Sequence, residues 1–196
     1  IVAIPNTKKD DELNDFLINK KISVFRGSEK NVLERYFQAA KKHKAKIIIR
    51  ITSDCPLISS DIIDEHLKVY KSKKFRVLNN YQSKTYPLGI SFSICDFRSL
   101  EIANKKAKSK FDREHVMPFI YREMRSDTIK TKFYKNYNFL RLTIDYPVDL
   151  VTIRNIYNYF YPNIFFNFKK VINLYKKKPS LFKNNSKALF KIYPRI

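Results

Sequence analysis

Only two glycines and two cysteines occur in the 196 residues, no acidic residue follows Asp149, and no apolar run approaches the roughly 18 residues that a membrane-spanning helix needs. Each shortage excludes something. Cys55 and Cys95 lack the spacing of metal ligands and cannot build a disulfide framework, which fits a reducing compartment, and neither stands where a nucleophile is expected. With no long apolar run and no signal-peptide pattern, a soluble, cytoplasmic chain without a membrane span is expected. The scarcity of glycine accompanies an excess of Lys, Asn, Ile, Tyr and Phe. An AT-rich coding sequence imposes that joint bias on any protein, so the net charge of +22 reads largely as composition. Basic chains bind nucleic acid by releasing counterions from phosphates, but here nucleic acid is a disfavoured partner. Within the acid-free stretch, residues 161–196 are read as a basic C-terminal extension. A solvated face is preferred for it over a contact with nucleic acid, an anionic membrane surface or an acidic polymer.

What is present is an alternation of strand and helix patterns in a chain long enough for one domain. Ile1-Val2-Ala3-Ile4 is strand-like and precedes a helix with Leu13, Phe16 and Leu17 on one face. Ile22-Ser23-Val24-Phe25 is a second strand, after which Ser28 is the expected N-cap of a helix over 29–43 that buries Val32, Leu33, Tyr36 and Ala40. Lys46-Ile47-Ile48-Ile49 reads as a strand covered on both faces, with a helix over 60–71 behind it. The rhythm changes after Val77-Leu78-Asn79-Asn80. Tyr86-Pro87-Leu88-Gly89 is a turn, and residues 90–94 alternate like a half-exposed antiparallel strand. Helices are expected over 99–108 and 113–124, the second strained by Pro118. A strand over 140–144, a helix after Pro147 and a short amphipathic helix within 166–177 follow, and the Asn- and Lys-rich end is expected to be loose. No internal repeat is visible. Short connections between alternating elements predict a doubly wound α/β sheet in residues 1–160.

Two carboxylates sit at strand ends. Asp54 follows the Ile47 strand in Arg50-Ile51-Thr52-Ser53-Asp54-Cys55-Pro56, and Asp145 follows Leu140-Arg141-Leu142-Thr143-Ile144. Ligands of open α/β sheets bind outside the carboxyl ends of the strands. The pair can therefore share a divalent cation, with nucleotide phosphates completing its octahedron. Helix capping is the alternative for Asp145, and a turn the alternative for Asp54. His43, at a helix end, and His66, on a charged face, read as structural.

Seven blocks carry a resemblance. Phe25-Arg26-Gly27-Ser28, then residues 32–40 (Val-Leu-Glu-Arg-Tyr-Phe-Gln-Ala-Ala), the Asp54 segment, Asn79, Thr85-Tyr86-Pro87-x-Gly89, Arg113-Glu114-His115-Val116-x-Pro118 and the Asp145 segment through Leu150 occur in one order over residues 1–159. In that order they resemble the cytidylyltransferase-like family of spore coat polysaccharide synthesis, relatives of the acylneuraminate and ketodeoxyoctonate cytidylyltransferases. The resemblance implies a Rossmann-like nucleotidyltransferase fold, a mostly parallel sheet with helices on both faces and a small antiparallel insertion, often dimeric. It implies transfer of CMP from CTP to an acidic sugar in activated-sugar or surface-polysaccharide synthesis, with Mg²⁺ on Asp54 and Asp145. Arg26, Ser28, Arg35 and Ser53 would meet the nucleotide. Asn79, Tyr86, Gly89, Arg113, Glu114 and His115 would meet the acceptor, with Arg113 pairing a sugar carboxylate and His115 assisting deprotonation of a hydroxyl. A surface salt bridge for Arg35, a helix-start salt bridge for Glu114, a packed ring for His115 and a simple turn at residues 85–89 are the structural alternatives.

Departures from the pattern matter too. Members usually begin with a strand and a Gln-Ala-Arg-x-x-Ser-x-Arg-Leu-Pro-x-Lys loop that grips the triphosphate, and the chain opens at Ile1 in what would be the second strand. It is therefore expected to be an N-terminally truncated piece of the enzyme. Ser53 stands where relatives usually carry Gly, and Ser91 and Ser93 where they often carry Asp and Glu. A catalytically silent sugar- or nucleotide-binding module, or a basic polyanion-binding protein, is the alternative function.

Overall fold

Residues 2–5 and 24–27 open the structure as two short parallel strands. The computed structural model describes residues 1–82, 84–124, 126–128, 137–183 and 185. The expected loose end falls almost wholly outside them. The chain forms two compact units, Ile1–Ile48 with Cys95–Ser126, and Ile49–Ile94 with Asp127–Ile196.

In the first unit β1 (Val2–Pro5) pairs with β2 (Val24–Gly27) in register Val2 to Val24 through Pro5 to Gly27, and α1 (Asp11–Asn19) connects them. Leu17 of α1 is buried, but Leu13 and Phe16, expected beside it, are 45% and 55% exposed. Two four-residue strands offer too little surface to cover a second turn of helix, and the Lys20 ammonium lies over the Phe16 ring instead.

The next helix, α2 (Val32–Lys42), starts later than its sequence pattern indicates. Ser28 is not its cap. The Ser28 hydroxyl accepts the Asn31 amide at 3.0 Å, which makes a separate turn, and Asn31 then caps the helix by accepting the Glu34 amide at 3.1 Å. Leu33, Phe37, Ala39 and Ala40 form the buried face, while Val32 and Tyr36 are only half-buried.

After β3 (Ile47–Arg50) the chain leaves this unit, and it returns through β5 (Ser93–Asp96) into α4 (Phe97–Lys106). Asp96 caps α4 by accepting the Ser99 amide at 2.6 Å, and Phe97 stacks on Phe37 with centroids 5.6 Å apart. The helix expected over 113–124 is two helices, α5 (Lys110–His115) and α6 (Met117–Glu123). They meet at Val116, whose φ of 70° and ψ of −56° are those of a tight three-residue turn. Pro118 therefore lies in the first turn of α6, where its missing N–H is no loss, and strains nothing. Arg122 fastens the two helices through two bonds to the buried Asp112 carboxylate, at 2.9 and 2.8 Å.

The second unit contains α3 (Ser60–Ser72), β4 (Val77–Asn79), α7 (Pro147–Phe160) and α8 (Phe168–Lys177), close to their expected positions. With β6 (Ser126–Thr128), the strands form a four-stranded sheet in the order β3-β5-β4-β6. Residues 90–94 are not half-exposed. β5 is an interior strand, Ile90, Phe92, Ser93 and Ile94 are all buried, and the Asn80 carboxamide bonds the Ile90 carbonyl and the Phe92 amide. The strand expected over 140–144 contracts to one parallel bridge between Leu88 and Arg141. Nor does His66 sit on a charged face. It shares a stripe of α3 with Ile62 and Tyr70, is fully buried against the edges of Tyr86 and Phe92, and burial lowers its pKa. Among the described residues no helix is long and apolar enough to cross a membrane.

Truncating the fully buried Leu33 leaves a cavity, whereas removing the Asn31 cap loses one helix-end bond. Leu33→Ala is expected to lower stability by about 2–5 kcal/mol and Asn31→Ala by about 1 kcal/mol, measured by urea unfolding.

Candidate active site

In the second unit the segments that carry Asp54 and Asp145 are joined through the backbone. The Asp54 carbonyl accepts the Ile144 amide at 2.9 Å and the Thr143 hydroxyl at 3.0 Å, so the turn carrying Asp54 is fixed to the residue before Asp145. A tight turn inside the loop, Cys55 amide to Thr52 carbonyl at 3.2 Å, and the Tyr157 hydroxyl on the Pro56 carbonyl at 2.9 Å complete its anchoring. Asp54 is half-buried and Ser53 exposed. Burial pushes the Cys55 thiol pKa up, so the sulfur stays protonated and lies 3.6 Å from Asp54 Oδ1 as a weak donor. Cys95 is pushed by burial to about 12 and is likewise inert.

Gly89 makes the neighbouring approach possible. Its φ is +94°, and a Cβ there would lie 2.3 Å from the Leu142 carbonyl carbon and 2.5 Å from the Thr143 nitrogen. Leu88 thus bonds the backbone on either side of Arg141 with nothing between: its amide donates to the Leu140 carbonyl at 3.2 Å, and its carbonyl accepts the Leu142 amide at 2.8 Å. The resemblance puts Gly89 at the acceptor. In the structure it seats the segment that carries Asp145. Tyr86 is buried against His66, and Asn79 bonds Gln82 through both ends of its carboxamide, at 2.8 and 3.0 Å.

Beneath Asp145 lies a buried ion-pair network. Arg141 donates Nε to Asp149 Oδ1 and Nη2 to Asp149 Oδ2, both at 2.8 Å, and the same Nη2 reaches Asp145 Oδ2 at 2.5 Å. The Tyr146 ring lies 5.4 Å from the guanidinium. Asp149 Oδ2 also accepts the amides of Asp145 and Tyr146, each at 3.0 Å, which begins α7 with the N3 carboxylate of a capping box. So Asp145 does not cap α7; Asp149 does. Burial would raise the Asp149 pKa, but the bonds from Arg141, Asn185 and the two amides outweigh it and bring it down to about 2. The Arg141 pKa is raised, first by Asp149 and then by Asp145.

With Arg141 against Asp145 and Asp149, and Asp54 nearby in the chain path, carboxylates outnumber cations in the network. Mg²⁺ prefers oxygen donors and usually keeps waters and phosphates around one or two carboxylates. Asp54 and the Asp145 oxygen not bonded to Arg141 fit that need. Among the described residues no three His, Cys, Asp or Glu side chains converge, so the fit is to an ion bringing its own waters and phosphate oxygens.

The remaining expected residues lie in the first unit. Arg26 bonds the Thr7 carbonyl at 2.7 Å and Asp11 at 2.6 Å. Arg35 donates to the Ser28 carbonyl at 2.6 Å, with its stem against Gly27, where a Cβ would meet Arg35 Cγ at 2.9 Å. Arg35 and Ser28 are thus joined, and among the described residues the buried Nε atoms of Arg26 and Arg35 have no partner. Partial burial lowers the Arg35 pKa, and its bond goes to a backbone carbonyl rather than to a surface carboxylate. Arg113 donates Nε to the Ala107 carbonyl at 2.9 Å and its two terminal nitrogens to Asn104, at 3.3 and 3.0 Å. Glu114 and His115 are exposed, and the His115 ring lies 4.5 Å from that of Phe111.

The sequence reading assigned no role to Arg141, Asp149 or Asn185. An Asp four residues after a strand-end Asp, behind a proline, was a readable N3 capping signal. Nothing in the sequence marked Asn185.

Similarity to known proteins places this α/β fold, with its Asp54 and Asp145 segments joined through the backbone, among the nucleotidyltransferases. The family model described as Cytidylyltransferase matches residues 1–187, and the chain belongs to that family. It is 32% identical over 199 aligned positions to an uncharacterized protein of Methanocaldococcus jannaschii, covering all of this chain and 80% of that one. It is 27% identical over 166 positions to the spore coat polysaccharide biosynthesis protein SpsF of Bacillus subtilis, covering 80% of this chain and 66% of that one. The structure of a cytidylyltransferase from Leptospira borgpetersenii superposes with a TM-score of 0.84 at 28% identity, over 92% of this chain and 77% of the other. The fold is thus the Rossmann-like one of that class. Membership carries the coarse activity, cytidylyl transfer from CTP.

Two outcomes follow for the network. Gly89→Ala meets both positive-φ strain and backbone overlap, and is expected to destabilise by about 2–6 kcal/mol in urea unfolding. Because folding depresses the Asp149 pKa, its stabilisation is complete above the unfolded value near 4 and is lost as the pH falls toward about 2. That component is about 2–3 kcal/mol. Asp149→Asn is expected to lower stability at pH 7 by about 3–5 kcal/mol, leaving Arg141 poorly paired, and to flatten the pH dependence of urea unfolding below pH 4.

Proposed function

We propose that this chain transfers CMP from CTP to an acidic sugar in activated-sugar or surface-polysaccharide synthesis, with Mg²⁺ held by Asp54 and Asp145. The observation that carries the metal assignment is the bonding of Thr143 and Ile144 to the Asp54 carbonyl, which joins the two carboxylate-bearing segments. The similarity to SpsF, named for spore coat polysaccharide biosynthesis, supports the pathway class. In the reaction the acceptor hydroxyl oxygen bonds to the α-phosphorus as the bond from phosphorus to the pyrophosphate oxygen breaks. Pyrophosphate leaves, and the hydroxyl proton passes to His115. Most of the catalytic effect in such a transfer is positioning and charge neutralisation.

The ion would supply neutralisation of the triphosphate charge. The protein supplies the placement. Asp54 is held by a turn whose carbonyl is doubly bonded, and Asp145 is held through one oxygen by a guanidinium that cannot swing away, because Asp149 grips it twice. The Asp54 turn and the Asp145 carboxylate are thereby held before the nucleotide arrives, which is how a site limits reorganisation during reaction.

Calorimetric titration of CTP, with and without Mg²⁺, tests the metal assignment. Asp54→Asn is expected to weaken Mg²⁺-dependent CTP binding by at least about tenfold, since even outer partners of metal ligands typically contribute about 10–100-fold. Unchanged binding would overturn the role of Asp54. Pyrophosphate release with a panel of acidic and neutral sugars reads the acceptor class, and release with neutral sugars alone would overturn the acidic one.

A further inference from the structure

Asn185 lies beyond α8, far along the chain from Asp54 and Asp145, yet it is 2% exposed. Its carboxamide Nδ2 donates to the Arg141 carbonyl and to Asp149 Oδ1, both at 2.9 Å. We infer that Asn185 is a positioning residue for the Asp145 carboxylate, acting through Asp149 and Arg141. The inference rests on the reading of Asp54 and Asp145 as holders of Mg²⁺.

The chain of contacts has no slack. Among the described residues Asp149 Oδ2 accepts two backbone amides and Arg141 Nη2, whereas Oδ1 accepts Arg141 Nε and Asn185. Without the Asn185 amide, three donors on one oxygen face a single donor on the other. The carboxylate then pivots toward the crowded side and carries the guanidinium plane with it. Arg141 Nη2 is the atom that also holds Asp145 Oδ2, so the pivot releases the Asp145 rotamer. A metal ligand that must be reoriented on binding is weaker than one held in place by its outer partners. Asn185 suits this task because its amide donates without adding charge to an acid-rich cluster. It also bonds the backbone of Arg141 itself, so the same side chain fixes both ends of that residue.

The full chain carrying Asn185→Leu separates this role from simple anchoring of the C-terminal segment. CTP is titrated calorimetrically over a series of Mg²⁺ concentrations, well below the thermal transition of each variant. The Mg²⁺ concentration at half-effect is expected to rise about tenfold or more, with CTP binding in metal-free buffer unchanged. Asn167→Ala is the destabilised control, because Asn167 caps α8 by accepting the Lys170 amide at 3.1 Å and touches none of the network. It should lose thermal stability and keep the wild-type half-effect concentration. Asn185→Val, which removes the donor with less bulk than leucine and keeps the site apolar, is read in the same way should the leucine variant not fold. Wild-type half-effect concentrations in the Asn185 variants would overturn the inference and leave Asp54 and Asp145 in their role. An equal rise in Asn167→Ala would also overturn it, assigning the effect to general loosening. If Mg²⁺ had no effect on CTP binding by the wild-type chain, the reading beneath the inference would fall, and the inference with it.

Discussion

The guanidinium of Arg141 faces two carboxylates in the interior of the second unit, and the local structure is arranged around satisfying all three. Desolvating such a cluster costs several kcal/mol per ion, which the Coulomb attraction offsets only where every remaining donor and acceptor is matched. Here they are matched by the first two amides of the α7 entrance, by Asn185 and by the Tyr146 ring. The start of α7, the course of residues 140–145 and the burial of Asn185 are therefore one constraint rather than three. Residues 140–144 read as a strand from their apolar alternation, yet they make a single bridge. Arg141, in the middle of that pattern, turns its side chain inward to Asp149, and Gly89 lets the opposing backbone approach to contact.

Periodicity found the elements whose stability comes from a stripe of side chains. α2, α3, α7 and α8 lie close to the expected ranges because Leu33, Ile62, Ile156 and Leu174 each repeat at helical spacing on a buried face. It failed where a local polar bond decides. The serine that looked like a cap at residue 28 makes its own turn, and the proline that looked like a kink opens a new helix after Val116. Residues 90–94 looked half-exposed because Ser91 and Ser93 alternate with apolar residues, but an interior strand buries serine readily when its backbone is paired. The partner supplying part of that pairing, Asn80, adjoins Asn79, but its place beside Asn79 gave no sign of that role.

Residue identity carried over from the family pattern more easily than geometry did. Arg26, Arg35 and Arg113 all stand where the pattern has them, and all three use guanidinium donors to hold backbone carbonyls of their own neighbourhood. A planar group with five donors can fix a loop and still present others. For Arg26 and Arg35 the Nε atoms are buried, so any contact with a nucleotide would fall to their terminal nitrogens. Arg113 has bonds at Nε and at both terminal nitrogens, so an acceptor carboxylate would have to share them. The Asp54 and Asp145 segments are joined by backbone bonds that no sequence pattern showed, the Asp54 carbonyl accepting the Ile144 amide and the Thr143 hydroxyl.

The charge of the chain and the charge of the site run in opposite senses, which explains why composition said so little about function. A protein of net charge +22 attracts an anionic nucleotide over distances of about a Debye length, but attraction of that kind is indifferent to where the ligand settles. Selectivity needs the reverse sign at one place. The Asp54 turn and the Arg141 network provide it, a local excess of carboxylate held rigid in a cationic chain. In the proposed reading a divalent cation would join the two, being drawn to the carboxylates and in turn to the phosphates. On this view the lysines set how fast CTP arrives, and the buried arginine, by holding Asp145 still, sets where its phosphates come to rest.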